Sequence, residues 1–260
     1  MSATQLDAAD LYQAPARASA TTAMLDHFLP TNGTEFAAGQ EYQEYTTVAA
    51  GAVTSLCLTN NGATALPVHP LPYSGDNEEF PDVSYLEANG FVTASTTPVP
   101  SATAGMSASA VSAYKKTENQ CAQPTRDALS QVSTQGSVLE TQWMHIVAQI
   151  DERPAVESAL KTFSMCLAAT GVHAATITAF FASATAKVQA AGTKLKTAER
   201  TAGQLYARCI APVEVARDAA RATARAGFLQ SHSNAIHALE SSWDSALATL
   251  ESAGTAWPSS

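Results

Sequence analysis

Apolar positions recur every three or four residues over much of this chain, which is the spacing of one face of an α-helix. The pattern predicts a helix over residues 35–58 and a largely helical chain from Ser107 almost to its end, which includes a helix from Val138 to Ile150. Glycine and asparagine mark predicted helix ends at Gly62 and Gly171. We therefore predict an all-α fold, an irregular helical bundle with little or no sheet.

The clearest apolar stripes lie in the second half of the chain. Pro154 suits the first turn of a helix whose apolar residues are spaced by four and three. Pro124 is predicted to interrupt the helix before it, because proline lacks the N–H that a helix interior requires. The last stripe is read as a bundle face that buries Trp243 and holds a hydrogen-bonded core histidine at His232. The two stripes consist of Val156, Leu160, Phe163 and Leu167, and of Leu229, His232, Ile236, Leu239, Trp243, Ala246 and Leu250.

The positions of prolines, polar stretches and apolar stripes divide the chain into three regions. Residues 1–34 are small, polar and interrupted by proline, and we expect a flexible arm with one short helix from about Ser19 to Phe28. Residues 35–253 form the predicted helical, disulfide-bonded domain, and residues 254–260 a C-terminal tail.

Residues 63–105 stand out inside the predicted domain as a long, irregular, proline-rich loop. The segment contains six prolines, and we expect one short helix near Ser84–Ala88. Rigid scaffolds commonly carry binding residues on loops, so this loop is the candidate partner-binding surface and the expected most mobile part of the domain. Its candidate residues are Asp76, Glu78, Glu79, Tyr85 and Phe91.

Composition and charge exclude some functional classes. The net charge is −9, and only 14% of residues are charged, against about 25% in ordinary globular domains. Because clustered basic residues are absent from the sequence, we predict no nucleic-acid partner. No uninterrupted apolar stretch approaches the roughly 18 residues of a membrane-spanning helix. Residues 1–10 lack the basic and apolar regions of a signal peptide, so an exported protein would be present here in its mature form.

Four widely spaced cysteines, Cys57, Cys121, Cys166 and Cys209, show no CxxC spacing and fit structural disulfides. Cys57 and Cys166 each lie in the pattern S-[LM]-C-L-x-x-x-G at a predicted helix end. Four cysteines allow three connectivities. The repeated motif favours two sequential bridges, Cys57–Cys121 and Cys166–Cys209. Nested pairing of Cys57 with Cys209 and Cys121 with Cys166 is the main alternative.

The cysteine motifs resemble those of a group of uncharacterised secreted actinobacterial proteins over about residues 42–250. The shared features are the helix end at Cys57, the isolated Cys121 and the pattern D-x-R-P-x-V…F-S-x-C-L-x-x-x-G from Asp151 to Gly171. Glu199, Cys209 and a long helix with Leu229, His232 and Leu239 complete them. Phe163 and Leu167 replace the Trp and Met that are usual there. The resemblance implies export, oxidised cysteines and a helical body, and it implies no activity.

No catalytic or metal-binding pattern stands out, so we predict no cofactor. Ser107 and Ser109 do not form a nucleophile elbow, and the acidic cluster around Asp76 and Asp82 lacks the spacing of an EF-hand. The leading hypothesis is a secreted or cell-envelope helical protein without enzymatic activity, which binds a partner or assembles with itself. The alternatives are an enzyme acting on wall polymer, with carboxylates gathered from separate helices, and a cytosolic or viral structural protein with reduced thiols.

Overall fold

A computed structural model describes residues 17–65, 75, 77–91 and 101–255. The all-α prediction is confirmed, because these residues form eight α-helices, two short 3₁₀-helices and no strand. The α-helices are α1 Arg17–Phe28, α2 Gly33–Asn60, α3 Val83–Asn89, α4 Ala108–Val147, α5 Pro154–Ala169, α6 Ile177–Ala190, α7 Leu195–Ser231 and α8 Ser233–Thr255, and the 3₁₀-helices are Ile150–Glu152 and Gly192–Lys194.

Local sequence chemistry explains several helix ends. A side-chain oxygen of the residue before the helix accepts a backbone N–H of the first turn in α2, α3, α4 and α6. The predicted stops at Gly62 and Gly171 are confirmed, and both glycines have the positive φ that favours glycine. Pro154 begins α5 as predicted.

The prediction that Pro124 interrupts its helix is wrong, because α4 continues through it for 40 residues. Cys121 and Thr125 are buried on either side of the proline, so packing holds both halves of the helix in place. An interior proline costs a helix roughly 3 kcal/mol, which tertiary packing on both sides of it can outweigh.

The last predicted stripe is divided between two helices at His232. Helix α7 ends at Ser231, and the His232 backbone N–H donates to the Phe228 carbonyl oxygen. The His232 ring stacks on Phe228 with centroids 4.0 Å apart, and its Nδ1 lies 2.9 Å from the same carbonyl oxygen. The histidine is therefore hydrogen-bonded as predicted, but the prediction that it lies in the core is wrong, because it is half-buried at a helix junction. Beyond it, Trp243 is fully buried, which confirms its predicted place on α8.

Two hydrophobic cores lie along the long helix α7. The first core joins α1, α2, α4 and α8 to the C-terminal end of α7, and it centres on Trp143 and Trp243. The second core joins α3, α5 and α6 to the N-terminal half of α7 and contains Phe163, Phe180 and Tyr206. Helix α7 contributes to both cores and therefore connects them, as does the segment 77–91 through Phe80 and Leu86.

The prediction of a flexible arm over residues 1–34 is wrong for its described part, residues 17–34. The short helix is present as α1, but Met24 and Leu29 are completely buried in the first core. Trp143 Nε1 donates to the Pro30 carbonyl oxygen at 2.9 Å, which fixes the end of this segment. Residues 1–16 of the predicted arm and 256–260 of the predicted tail lie outside the described residues.

Residues 77–91, which we call the strap, pack tightly on α7. Gln204 Nε2 donates to the Glu87 carbonyl oxygen at 3.0 Å, and the Phe91 N–H donates to the Glu199 carbonyl oxygen at 3.2 Å. Gly203 permits this approach, since a Cβ there would lie 2.2 Å from the Phe91 nitrogen. The predicted short helix is confirmed as α3, but Leu86 and Phe91 pack into the second core, so this part of the predicted loop is held against α7.

The two sequential disulfides are confirmed. Cys57 pairs with Cys121 and Cys166 with Cys209, and the Cα atoms of each pair are 5.5 Å apart. Cys209 belongs to the second core. The first disulfide lies in a small cluster of its own, whose buried members are Leu58, Tyr114 and Cys121. The end of α2 and the start of α4 therefore have little buried apolar surface besides the crosslink.

We expect loss of the first disulfide to loosen this region locally. In a Cys57→Ala/Cys121→Ala variant, amide hydrogen exchange should accelerate over residues 53–60 and 108–121, while the exchange of α7 stays close to wild type. The bridge closes a span of 64 residues, for which the chain-entropy model assigns about 4 kcal/mol. The matched Cys166→Ala/Cys209→Ala variant should accelerate exchange in α5 and α7 instead. Identical exchange maps for the two variants would contradict this division.

Candidate functional site

One face of α7 carries charged residues of both signs, all at helical spacing. Glu214, Arg217, Asp218, Arg221 and Arg225 lie three, four, seven and eleven residues along from the first. Glu214, Arg217 and Arg221 are buried, which is rare for charged residues unless they are paired. We call these five residues, together with their partners Asp26, Glu35 and Asp151, the charged seam.

Arg217 links α7 to the turn before α5. Its Nε donates to Asp151 Oδ1 at 2.7 Å and its Nη2 to Asp151 Oδ2, a two-pronged arrangement that suits a guanidinium. Its Nη1 donates to Glu214 Oε1 at 2.8 Å. Burial by itself would lower the pKa of Arg217, but the bonds to Asp151 and Glu214 raise it above its usual range. Arg217 is therefore a permanent cation in this site.

Arg221 is the most deeply buried charge, with 1% of its side chain exposed. Its Nη1 donates to Glu214 Oε2 at 2.9 Å and lies 3.4 Å from the Thr31 carbonyl oxygen, while its Nη2 donates to the Glu79 carbonyl oxygen. The guanidinium also lies 4.8 Å from the centre of the Phe80 ring. One side chain thus joins α7 to the strap and to the connection between α1 and α2.

Arg225 completes the attachment of the N-terminal segment. It donates to Asp26 Oδ1 and to Glu35 Oε2, each at 2.9 Å. Glu35 Oε2 also accepts from the Thr31 backbone N–H at 2.8 Å and from the Thr31 hydroxyl at 2.7 Å. Burial raises the pKa of Asp26 more than the neighbouring Arg225 lowers it.

A cleft of about 400 Å³ opens beside the seam, between α2, the strap and α7. Gly33 allows the start of α2 to pack closely against the strap, because a Cβ at that position would lie 2.3 Å from the Pro81 carbonyl oxygen. Four carboxylates lie among the lining residues, which are Asn32, Gly33, Thr34, Glu35, Pro81, Asp82, Val83, Ser84, Glu214 and Asp218. The cleft is therefore acidic and draws its charge from three elements.

Asp218 has a longer ion pair than the other carboxylates of the seam. Its side chain is 42% exposed, but its Oδ1 is shielded from solvent, lies 3.6 Å from Arg221 Nη1 and has no hydrogen-bond partner among the described residues. Burial and the neighbouring negative charge of Glu214 raise the pKa of Asp218 to about 6. This carboxyl group can hold or release a proton near neutral pH, which is what acid–base chemistry requires.

The predicted loop residues are not brought together as one binding surface. Glu78 and Glu79 are exposed, Tyr85 is half-buried, and Asp76 lies outside the described residues. Phe91 packs against Phe180, Phe181 and Tyr206 in the second core. Phe91 therefore contributes to packing, and among the described candidate residues Glu78 and Glu79 are the most open to a partner.

The charged seam was missed by reasoning from sequence, although a signal for it exists. The pattern E-x-x-R-D-x-x-R-x-x-x-R puts three arginines on one face of a helix, in a chain with only 14% charged residues. Charges in helices are usually solvated, so the pattern does not reveal burial. Asp26 and Glu35 are 199 and 190 residues away from Arg225 along the chain, which no local pattern detects.

Metal and membrane sites are not supported within the described ranges. No group of three or more His, Cys, Asp or Glu side chains there lies close enough to hold a metal ion. Asp82, from the acidic cluster considered for calcium, instead caps α3 by accepting the Tyr85 N–H at 2.9 Å. None of the described helices is long and apolar enough to cross a membrane.

Comparison with known proteins assigns no family to this fold. No protein-family model, no curated protein and no solved structure matches the chain. The resemblance to secreted actinobacterial proteins stays a prediction, and the function has to be argued from the disulfides, the charged seam and the acidic cleft.

Proposed function

We propose that this chain is an exported protein of the cell envelope or extracellular space, which acts as a binding or assembly module without enzymatic activity. The observation that carries the proposal is the pair of disulfides, which use all four cysteines. Disulfides of this structural kind form and persist in oxidising compartments. A chain of 260 residues can bury a sufficient core without crosslinks, so the crosslinks favour export over a simple need for stability.

The strap offers the surface for a partner. Phe80 and Leu86 are buried, while the side chains of Glu78, Glu79 and Glu87 are exposed. Contacts with α7 hold the backbone of the strap, including the bond from Arg221 to the Glu79 carbonyl oxygen. A held backbone presents these carboxylates with little loss of conformational freedom on binding. The favoured partner is a cationic group on a wall polymer or an envelope protein.

A second candidate function, an enzyme acting on wall polymer, is favoured by the acidic cleft. Asp218 keeps its proton up to about pH 6, and it shares the cleft with Glu35 and Glu214 from two different helices. Glycoside hydrolysis uses one protonated carboxyl group as the acid and a second, ionised carboxylate across the bond. The cleft contains the residue types for this division of roles.

One experiment separates the two functions. The full chain, with its disulfides intact, is incubated with purified cell-wall material, and retention of protein and release of soluble fragments are both measured. For a binding module we expect retention without release, and loss of retention in a Glu78→Gln/Glu79→Gln/Glu87→Gln variant. An Asp127→Asn/Glu152→Gln/Glu157→Gln variant removes the same number of exposed charges elsewhere and should bind like wild type.

The other outcomes contradict the first proposal in different ways. Release of fragments that stops in an Asp218→Asn variant would establish the enzyme instead. Wild-type protein that shows neither retention nor release would rule out wall polymer as the partner. Four free thiols in freshly isolated native protein would contradict export and favour a structural protein of a reducing compartment.

A further inference from the structure

We propose that the charged seam is a proton-sensitive latch: uptake of one proton by Asp218 tightens the attachment of α2 and the strap to α7, so that Asp218 favours the folded state more in mildly acidic than in neutral solution. This property belongs to the fold and does not depend on the partner or the compartment proposed above.

The charged seam contains more negative than positive side chains. Three arginines face five carboxylates, and the hydrogen bonds of the arginines go to four of these carboxylates and to backbone carbonyl oxygens. Asp218 is the fifth carboxylate. Arg221 Nη1 lies 3.6 Å from its Oδ1 but donates its hydrogen bond to Glu214 instead. An ionised carboxylate oxygen shielded from water without a donor is costly, and protonation removes that cost.

The carboxylates around the cleft belong to different elements of the fold. Glu35 enters the cleft from α2, Asp82 from the strap, and Glu214 and Asp218 from α7. Arg217 and Arg221 are the cations nearest to Asp218, and both are bonded to Glu214. Since the carboxylates belong to three separate elements, their mutual repulsion pushes those elements apart. One proton on Asp218 removes one charge from this group and supplies a donor.

The direction of the pH effect follows from proton linkage. The pKa of Asp218 rises from its ordinary value of 3.8 to about 6 on folding, mainly through burial. Burial also raises the pKa of Asp26 in the same seam. At Asp218 the folded protein therefore holds more of a proton than the unfolded chain from about pH 4 to 7, and the stability that this residue contributes falls as the pH rises through this window. Burial lowers the pKa of His27 below its ordinary value of 6.5, so this residue shifts stability in the opposite direction on acidification.

The test is the melting temperature of the full, oxidised chain at pH 7.5, 6.5 and 5.5. Asp218→Asn carries no charge at this position and keeps His27, so the difference between the two proteins isolates the contribution of Asp218. Asp218→Asn should melt higher than wild type at pH 7.5, and this difference should shrink by about 2–3 °C at pH 5.5. Asp127→Asn, at an exposed position of α4, should follow the wild-type profile.

A direct titration of the wild-type protein needs no variant. The ¹³C shift of the Asp218 carboxyl carbon should move with a midpoint near pH 6. A midpoint close to the ordinary 3.8 would overturn the proposal. So would an Asp218→Asn variant that keeps the full wild-type pH dependence, because the proton uptake would then belong to another group such as Asp26.

Discussion

Replacing Trp243 by Ala should lower the free energy of unfolding by about 3–5 kcal/mol. The side chain is fully buried in the first core, where its ring meets the edge of Tyr42 at 4.9 Å and of Tyr45 at 6.1 Å between centroids. The substitution removes these contacts and leaves a cavity between α2 and α8. Urea unfolding of the oxidised protein, followed by circular dichroism, measures the loss.

Two further variants serve as controls for the expected loss of stability. Trp243→Phe keeps most of the ring volume and should cost clearly less, since Trp243 Nε1 has no hydrogen-bond partner among the described residues. Val215→Ala removes apolar atoms from a side chain that is 72% exposed, and it should change stability by no more than about 0.5 kcal/mol. A Trp243→Ala variant as stable as Val215→Ala would show that α8 does not pack on the first core.

Replacing Arg221 by Met should cost a similar amount, about 3–5 kcal/mol, because it breaks a buried ion pair from one side. Glu214 keeps Arg217 as its remaining partner, while the Thr31 and Glu79 carbonyl oxygens lose their donor. Since Arg221 joins the strap to α7, amide exchange in residues 77–91 should accelerate along with the loss of global stability.

The matched control is Arg208→Met, an exposed arginine on the same helix. It removes the same charge and the same side-chain length at a site where water replaces every lost contact, so its effect should be small. A Glu214→Gln/Arg221→Met double variant should cost less than the sum of its single changes, because removal of both charges leaves no buried ion unpaired. Equal losses for Arg221→Met and Arg208→Met would contradict the role of the seam.

Features that depend on neighbouring residues are visible in this sequence, whereas features that depend on distant contacts are not. Capping residues and glycines are read from a few neighbouring positions, and the ends of α2 and α5 at Gly62 and Gly171 were predicted correctly. Pro124 was misjudged because its local cost is offset by the packing of Cys121 and Thr125 on either side. The arm was misjudged because Met24 and Leu29 show their role only beside the helices that bury them.

The sequence by itself determined the fold class and the helical faces, and it favoured the disulfide pairing that the structure has over the nested alternative. Each depends on periodicity or on a repeated motif: Trp243 lies on an apolar stripe, and Cys57 and Cys166 share one helix-end pattern. The tertiary structure alone decided which charges are buried and what they join. Arg221 meets Thr31 and Glu79 across 190 and 142 residues, and Asp218 enters an acidic cleft with Glu35. The physical reason is that burial and electrostatic environment depend on distances in space, which helical periodicity does not encode.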